Sequence, residues 1–213
     1  MKQDASIKPQ RGSDRRSRYL DAAMRLFAQH GYVGTTMDMV IAETGGSKAT
    51  LYKHFPTKDD LVTGLMQRVA DTVSHDMDDD PTTSTLPLAD ELTAIAFSTC
   101  QGVWSPGAAA VLRLCLGEYG RFPELAHTVW TVGPTRTYAN FCAFLTERQR
   151  RGEIVVDDPQ IAAEQFLGGL VGHIQLKIAF GITDPPTPDE TDARVESAVR
   201  TFLARYATPP RVD

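Results

Sequence analysis

Three cysteines, at 100, 115 and 142, are all the chain has. Their odd number and wide spacing argue against a disulfide framework and fit no zinc-ligand pattern. No apolar run approaches the ~18 residues a membrane span needs, and the opening MKQDASIKPQRGSDRR lacks the apolar stretch of a signal peptide. The expectation is a cytoplasmic protein that does not engage a membrane. Catalytic motifs are missing too. The five His (30, 54, 75, 127 and 173) are scattered, none forms H-E-x-x-H, and neither G-x-S-x-G nor a phosphate-binding glycine loop occurs. No catalytic constellation stands out, and neither a metal nor a cofactor is expected.

What remains is an ordinary globular composition. At 213 residues and 42% hydrophobic content the chain holds one large domain or two small ones, with a sizeable core. The net charge of −5 hides an asymmetry. Residues 1–56 carry nine basic and five acidic side chains, a net of +4, which leaves thirteen basic and twenty-two acidic, a net of −9, for the rest. A basic end on an acidic body suits a nucleic-acid partner, because neutralised phosphates supply most non-specific affinity while the acidic part stays off the duplex.

The basic end contains TTMDMVIAETGGSKATLYKHF, residues 35–55, which reads as helix, tight turn, helix. Thr35 is placed to cap the first helix with Asp38 three residues on, a capping-box arrangement, and Met37, Val40 and Ile41 share one face. Gly45 ends that helix, because glycine takes a left-handed C-terminal conformation without Cβ strain, and Ser47 caps the second. In the second helix Leu51 and Phe55 face inward, leaving Ser47, Lys48, Thr50, Tyr52, Lys53 and His54 outward. These are donors suited to phosphate oxygens and base edges, and the helix N-terminus adds unpaired amides. Two short helices on a Gly-containing turn form a helix-turn-helix, whose second helix fits a DNA major groove. Ahead of it, Leu20, Ala23, Met24, Phe27 and Ala28 mark a helix from Ser13 to Gly31, with Tyr32 folding back over its end and Arg15, Arg16 and Arg18 near its start. Residues 1–12 read as a flexible arm.

The order T-T-M-D-M-V-I-A, then G-G-S-K-A-T-L-Y-K-H-F-P-T-K-D-D-L, with A-M-R-L-F-A-Q-H-G-Y ahead of it, resembles the DNA-binding domain of the TetR family of bacterial transcriptional repressors. Gly46 departs from the pattern, since the family more often places Val there to pack between the two helices. The resemblance implies an all-α fold, with a three-helix helix-turn-helix domain over 13–57 and a ligand-binding and dimerisation bundle over 58–208. It places Ser47, Lys48, Ala49 and Thr50 nearest the base edges of a palindromic double-stranded operator, and Thr36, Tyr52, His54 and Lys58 toward the flanking phosphates. Lys53 joins the DNA-facing set.

Beyond Phe55, Thr57 caps a helix with Asp59 and Asp60 in its first turn and Leu61, Leu65 and Val69 on its buried face, running to about His75. The acidic run 76–80 and the PTTSTLP after it form a loop without the turn glycine of a Ca²⁺ site. Helical stripes follow over 88–103, from Ser105-Pro106 to Tyr119, from Phe122 with a break at Gly133-Pro134, and from Tyr138 to Arg151. Arg148, Arg150 and Arg151 there read as dipole and solubility residues. Asp158-Pro159 and the capping box Thr187-Pro188-Asp189-Glu190 open the last two helices. Phe166, Leu170 and Ile174 on one, with Val199, Phe202, Leu203 and Tyr206 on the other, read as a four-helix homodimer interface that Gly168, Gly169 and Gly172 allow to close.

The stretch from Phe122 to Gly181 also resembles the C-terminal region of many AcrR-like members of the family. In that family the bundle encloses an effector pocket. The resemblance implies a small hydrophobic or aromatic effector held by Phe97, Cys100, Trp104, Arg113, Tyr119, Phe122, Trp130, Phe141 and His173. Two readings of other classes stand beside this one: a thiol-based redox regulator acting through Cys100, Cys115 or Cys142, and an enzyme whose N-terminal hairpin is incidental.

Overall fold

The computed structural model describes residues 11–74 and 85–209, with side chains from residue 15 onward except 69, 70 and 72–74. Arm residues 1–10, His75, the acidic run 76–80 and the side chain of Val69 lie outside the described residues. The chain divides into two compact units, 1–65 and 66–213. The fold is all-α. In order, the helices are α1 (Arg11–Gly34), α2 (Met37–Thr44), α3 (Lys48–His54), α4 (Lys58–Ser74), α5 (Leu88–Val103), α6 (Pro106–Glu118) and α7 (Pro123–Trp130), a π-helical segment (Thr131–Thr135), then α8 (Arg136–Arg150), α9 (Pro159–Ala179) and α10 (Pro188–Tyr206).

In the first unit α1 begins at Arg11, two residues before the expected Ser13, and its regular course breaks at Gly31, whose φ of 68° and ψ of −179° favour glycine. Tyr32 then folds back, buried, its ring 6.0 Å from Phe27. The buried face of α1 is Tyr19, Leu20, Ala22, Ala23, Leu26 and Phe27. That face is rotated from the expected stripe, which leaves Ala28 exposed and Met24 half-buried. The cap of α2 also shifts by one residue. Thr36, not Thr35, accepts a hydrogen bond from the Met39 amide at 3.2 Å, which leaves Asp38 one place short of a capping box. Thr35 is fully buried and donates to the Gly31 carbonyl at 2.8 Å, because the break at Gly31 leaves that carbonyl in need of a donor.

In the second unit the helix starts fall where local chemistry puts them. Ser105 accepts from the Ala108 amide at 3.1 Å, Asp158 from the Gln160 and Ile161 amides, and Thr187 and Glu190 close a reciprocal capping box. The π-helical segment falls at Gly133-Pro134, where proline withdraws an amide from the helical ladder. Phe141 lies at the centre of the core, parallel to Phe166 at 5.0 Å and to Phe144 at 5.6 Å, while Phe202 meets Phe166 edge-on at 5.3 Å. Burying each such ring contributes roughly 1.5–3 kcal/mol.

Arg148 is not the solubility residue that its sequence position suggests. Its side chain is 2% exposed and paired with Glu91 of α5, with Glu153 at 2.8 Å and with the Leu86 carbonyl at 3.0 Å. The start of α5 is thereby tied to the end of α8. Arg150 and Arg151 instead converge on Glu147, whose carboxyl they hold down at about 2 through hydrogen bonds. Removing Glu91 leaves the buried Arg148 guanidinium short of a counter-charge, at a cost of about 3–5 kcal/mol.

Candidate functional site

The helix-turn-helix is built from Val40, Leu51 and Phe55, all buried, with Gly45 in the left-handed conformation at φ 67° between α2 and α3. Ser47 caps α3 by accepting from the Thr50 amide at 3.2 Å. Fixing those residues inside leaves Thr36, Ser47, Lys48, Ala49, Tyr52 and Lys53 exposed, with Thr50 and His54 half-buried. Lys48 holds Asp38 at 3.2 Å, but both side chains are about two-thirds or more exposed, 67% and 74%. Such a pair adds little stability and yields readily to a phosphate or a base.

Two of the basic residues of α1 join this surface. Arg15 and Arg18 line a small polar cleft of about 200 Å³ with Thr44, Gly45, Gly46, Ser47 and Thr50, and Arg18 reaches the Thr44 carbonyl at 3.4 Å. Arg16 takes another course, its guanidinium 5.3 Å from the Phe55 ring. Gly46, where the resemblance expects Val, has its space taken. A Cβ there would stand 2.4 Å from the Tyr19 hydroxyl, which is buried without a hydrogen-bond partner. Tyr19 thus does the packing between the two helices that Val would do.

Lys58 differs from its expected placement toward phosphates. Its ammonium donates to the Tyr32 carbonyl at 2.6 Å and to the Thr35 carbonyl at 2.9 Å, 4.1 Å from the centre of the Tyr32 ring. Its neighbour Asp59 accepts from the Tyr32 hydroxyl. These contacts fasten the start of α4 to the carbonyls that the break in α1 leaves over.

The second unit encloses a cavity of about 430 Å³. Its walls are Met66 from α4, Thr99 and Val103 from α5, Val111, Leu112 and Cys115 from α6, Ala126 and Val129 from α7, Thr137 and Tyr138 from α8, and Leu167, Val171 and Gln175 from α9. Leu116, Tyr119, Trp130 and Leu176 also line it and are each at least half exposed, so they mark its mouth. Gly133 of the π-helical segment leaves room for Met66, whose Cε lies 2.3 Å from where a Cβ would be.

Of the side chains expected at this cavity, Tyr119 and Trp130 line it and the others do not. Phe97 faces a groove between α5 and α10. Cys100, Trp104 and Phe141 belong to the core, where the Trp104 indole donates to the Val171 carbonyl at 3.4 Å. Arg113 reaches the Ile178 and Ala179 carbonyls at the end of α9, Phe122 precedes α7 half-buried, and His173 is exposed. Each sits on a helix that also walls the cavity or adjoins one that does, but on another face. Thr99, Thr137, Tyr138 and Gln175, the polar groups of the walls, were missed because helical spacing does not show which polar side chains meet a cavity.

The expected dimer residues divide in the same way. Phe166, Leu170, Ile174, Val199 and Phe202 are buried within the protomer, and Leu203 and Tyr206 are half-buried. α9 is apolar nearly all round, so its richest stripe turns toward α5, α6, α8 and α10 of its own chain. Its outer face carries Ile161, Gln165, Gly169, His173 and Leu176.

The cysteines are poorly suited to redox chemistry. Burial pushes the Cys100 thiol up to about 12 and Cys115 to about 11, and burial with Asp158 and Glu164 nearby also raises Cys142. Little reactive thiolate is left near neutrality. Among the described residues no group of three or more His, Cys, Asp or Glu could hold a metal ion, and no helix is long and apolar enough to cross a membrane.

A helix-turn-helix with a polar outer face, followed by an all-α unit, is the architecture of a helical DNA-binding regulator. Residues 20–65 match the family described as bacterial regulatory proteins, tetR family, and residues 90–208 match the AefR-like transcriptional repressor, C-terminal domain. The chain belongs to the TetR family and is a transcriptional regulator, not an enzyme. It is 27% identical over 202 residues to an uncharacterized HTH-type transcriptional regulator of Mycobacterium tuberculosis, covering 95% of this chain and 94% of that one. It is 29% identical over 184 residues to the HTH-type transcriptional repressor ComR of Escherichia coli, covering 82% and 86%. Among solved structures, the flavonoid-responsive regulator FrrA superposes with a TM-score of 0.66 at 29% identity, over 94% of this chain and all of that one.

Proposed function

We propose that the chain is a homodimeric repressor that binds a palindromic operator through α3 and is released when a small apolar or aromatic effector enters the cavity. The observation that carries the DNA-binding reading is the outer face of α3, whose Ser47, Lys48, Thr50, Tyr52 and Lys53 bear donors that no core contact requires. The repressor sense is supported by the AefR-like repressor domain and by ComR, and effector release by the name of FrrA. In this reading residues 13–57 form the DNA-binding domain and 58–208 the ligand-binding and dimerisation domain. Ser47, Lys48, Ala49 and Thr50 read bases, while Thr36, Tyr52, Lys53 and His54 hold phosphates, with Arg15 and Arg18 beside them. The effector acts through population shift, favouring a head spacing that no longer matches successive major grooves. α4 carries Met66 on the cavity wall and begins at Lys58, so a ligand that displaces Met66 acts on the helix that leads out of the head.

Fluorescence anisotropy with the DNA upstream of the chain's own gene, against a scrambled duplex over a salt series, tests the DNA reading. Equal affinity for the two duplexes would remove it. Dimerisation is assigned to the outer faces of α9 and α10, and Gly169 tests that assignment without touching the core. A Cβ at Gly169 meets nothing within 4 Å in the protomer, so Gly169→Glu leaves the fold intact and blocks a close helix crossing. Sedimentation is expected to show a dimeric wild type and a folded, monomeric variant. A variant that still dimerises would move the interface elsewhere.

A further inference from the structure

The cavity in the second unit differs from a generic apolar pocket in the way its polar groups are distributed and in what they have left to offer. Among the described residues its walls carry no Asp, Glu, Lys, Arg or His. A ligand bearing a full charge would leave water without a counter-charge to meet it, which disfavours binding far more than loss of a neutral hydrogen bond does. The neutral polar groups fall into two kinds. Thr99 and Thr137 have already committed their hydroxyl protons, to the Ile95 carbonyl at 2.7 Å and the Gly133 carbonyl at 3.3 Å. Toward the cavity these two oxygens therefore present lone pairs and accept. Tyr138 and Gln175 also line the cavity, and among the described residues neither the phenol nor the amide is bonded to another protein group. The Tyr138 phenol stays protonated, its pKa raised by burial and by the Glu164 carboxylate, so it is a donor. The rest of the wall is aliphatic, with Tyr119 and Trp130 at the mouth offering flat faces.

We infer that the effector is an uncharged, largely aromatic molecule carrying a hydroxyl-type donor for the Thr99 and Thr137 oxygens and a carbonyl- or ether-type acceptor for Tyr138 and Gln175, and that the site discriminates against the same scaffold bearing a carboxylate or an ammonium. This inference rests on the reading of the cavity as the effector site and adds to it the chemistry of the ligand. Of the two oxygen acceptors, Thr137 at 9% exposure offers a ligand more surface than Thr99 at 1%, so it is the main acceptor. A molecule without a donor loses that hydrogen bond but leaves the threonines no worse than in the empty protein. A charged one carries its own desolvation penalty into a wall that cannot repay it. Charge is therefore the stronger criterion and the donor the weaker.

The test is calorimetric titration of the full chain with four probes of one shape: 4-phenylphenol, biphenyl, biphenyl-4-carboxylate and protonated biphenyl-4-ylmethylamine. Ala126→Phe, which fills the cavity from α7, serves as the blocking variant, and circular dichroism checks that it folds. The expected order is 4-phenylphenol first, biphenyl about three- to tenfold weaker, and both ions weaker than 4-phenylphenol by at least about tenfold, with all binding lost in the blocked variant. Tyr138→Phe should weaken a probe with an acceptor, 4-hydroxybenzophenone, by about three- to tenfold while leaving biphenyl unchanged. If either ion binds as tightly as 4-phenylphenol and Ala126→Phe still abolishes binding, the ligand class is wrong and the cavity reading stands. If no probe binds, or if binding survives in a folded Ala126→Phe protein, the cavity is not the effector site and both fall together.

Discussion

The outer face of α3 carries its working groups outside the core of its unit, whereas the cavity carries its own within the core of the second unit. Lys48, Tyr52 and Lys53 project from a helix whose inner residues, Leu51 and Phe55, are a different set altogether. In the cavity the wall and the core share residues: Leu167 and Val171 face the space and are also among the buried side chains that hold α9 in place. A site on an outer face is free to change while the fold stays. A site carved from a core ties recognition to stability, because almost any substitution in its wall is also a packing change.

The largest effect expected from that contrast is at Phe141. Placed at the cavity by resemblance but found at the centre of an aromatic cluster, it should behave as core. Phe141→Ala is expected to lower unfolding stability by about 3–5 kcal/mol, read from urea melts followed by circular dichroism. A stable Phe141→Ala protein that has lost effector response would put this ring back among the ligand contacts.

Lys58 is where the contrast is easiest to break, since it lies in the head and yet its ammonium is engaged inside. Lys58→Ala removes a charged donor from two carbonyls and should cost roughly 1.5–3 kcal/mol of stability. If stability is instead unchanged and the salt dependence of DNA binding falls by about one ion, Lys58 belongs to the phosphate contacts.

Gly46 sharpens the picture of the turn. Its missing Cβ makes room for Tyr19, so Gly46→Val is expected to destabilise by about 1–3 kcal/mol through overpacking, and Tyr19→Leu in the same chain should recover most of the loss. A neutral Gly46→Val would mean that the ring moves aside at no cost. The smallest stability effect belongs to Lys48. Lys48→Ala should leave stability within about 0.5 kcal/mol, because the pair with Asp38 is exposed, while discrimination at one operator position per half-site drops by about 1–3 kcal/mol. Loss of affinity for all duplexes alike would make Lys48 a phosphate contact.

Legibility in the sequence followed the same division. The caps Ser47, Ser105, Asp158 and Thr187 and the turn at Gly45 were readable because each is settled within four residues of chain. Where local chemistry offered two equal answers, the reading slipped by a single residue: Thr35 and Thr36 can both cap, and only the carbonyl left open at Gly31 selects between them. The outer face of α3 was readable because its helix is short and has one apolar side. The body offered no such cue. Phe97, Phe141 and Trp104 all lie at helical spacing on helices near the cavity, and spacing alone does not say which apolar face meets a void and which meets another helix. Arg148 shows the limit most plainly: at the end of α8 it has the sequence setting of a solvated dipole residue, and its partner Glu91 lies 57 residues away.

By itself the sequence determined the helices, every cap named above except that of α2, the basic head and the donor face of α3, since these depend on hydrogen bonds, periodicity and charge among near neighbours. The tertiary structure alone decided that Tyr19 fills the gap at Gly46, that Lys58 and Arg148 point inward, that Phe166 and Phe202 face their own protomer, and that Thr99, Thr137, Tyr138 and Gln175 meet around one space. The physical reason is that burial belongs to a position in three dimensions. A helix apolar on several sides, as α9 is, has no inside until its neighbours are in place.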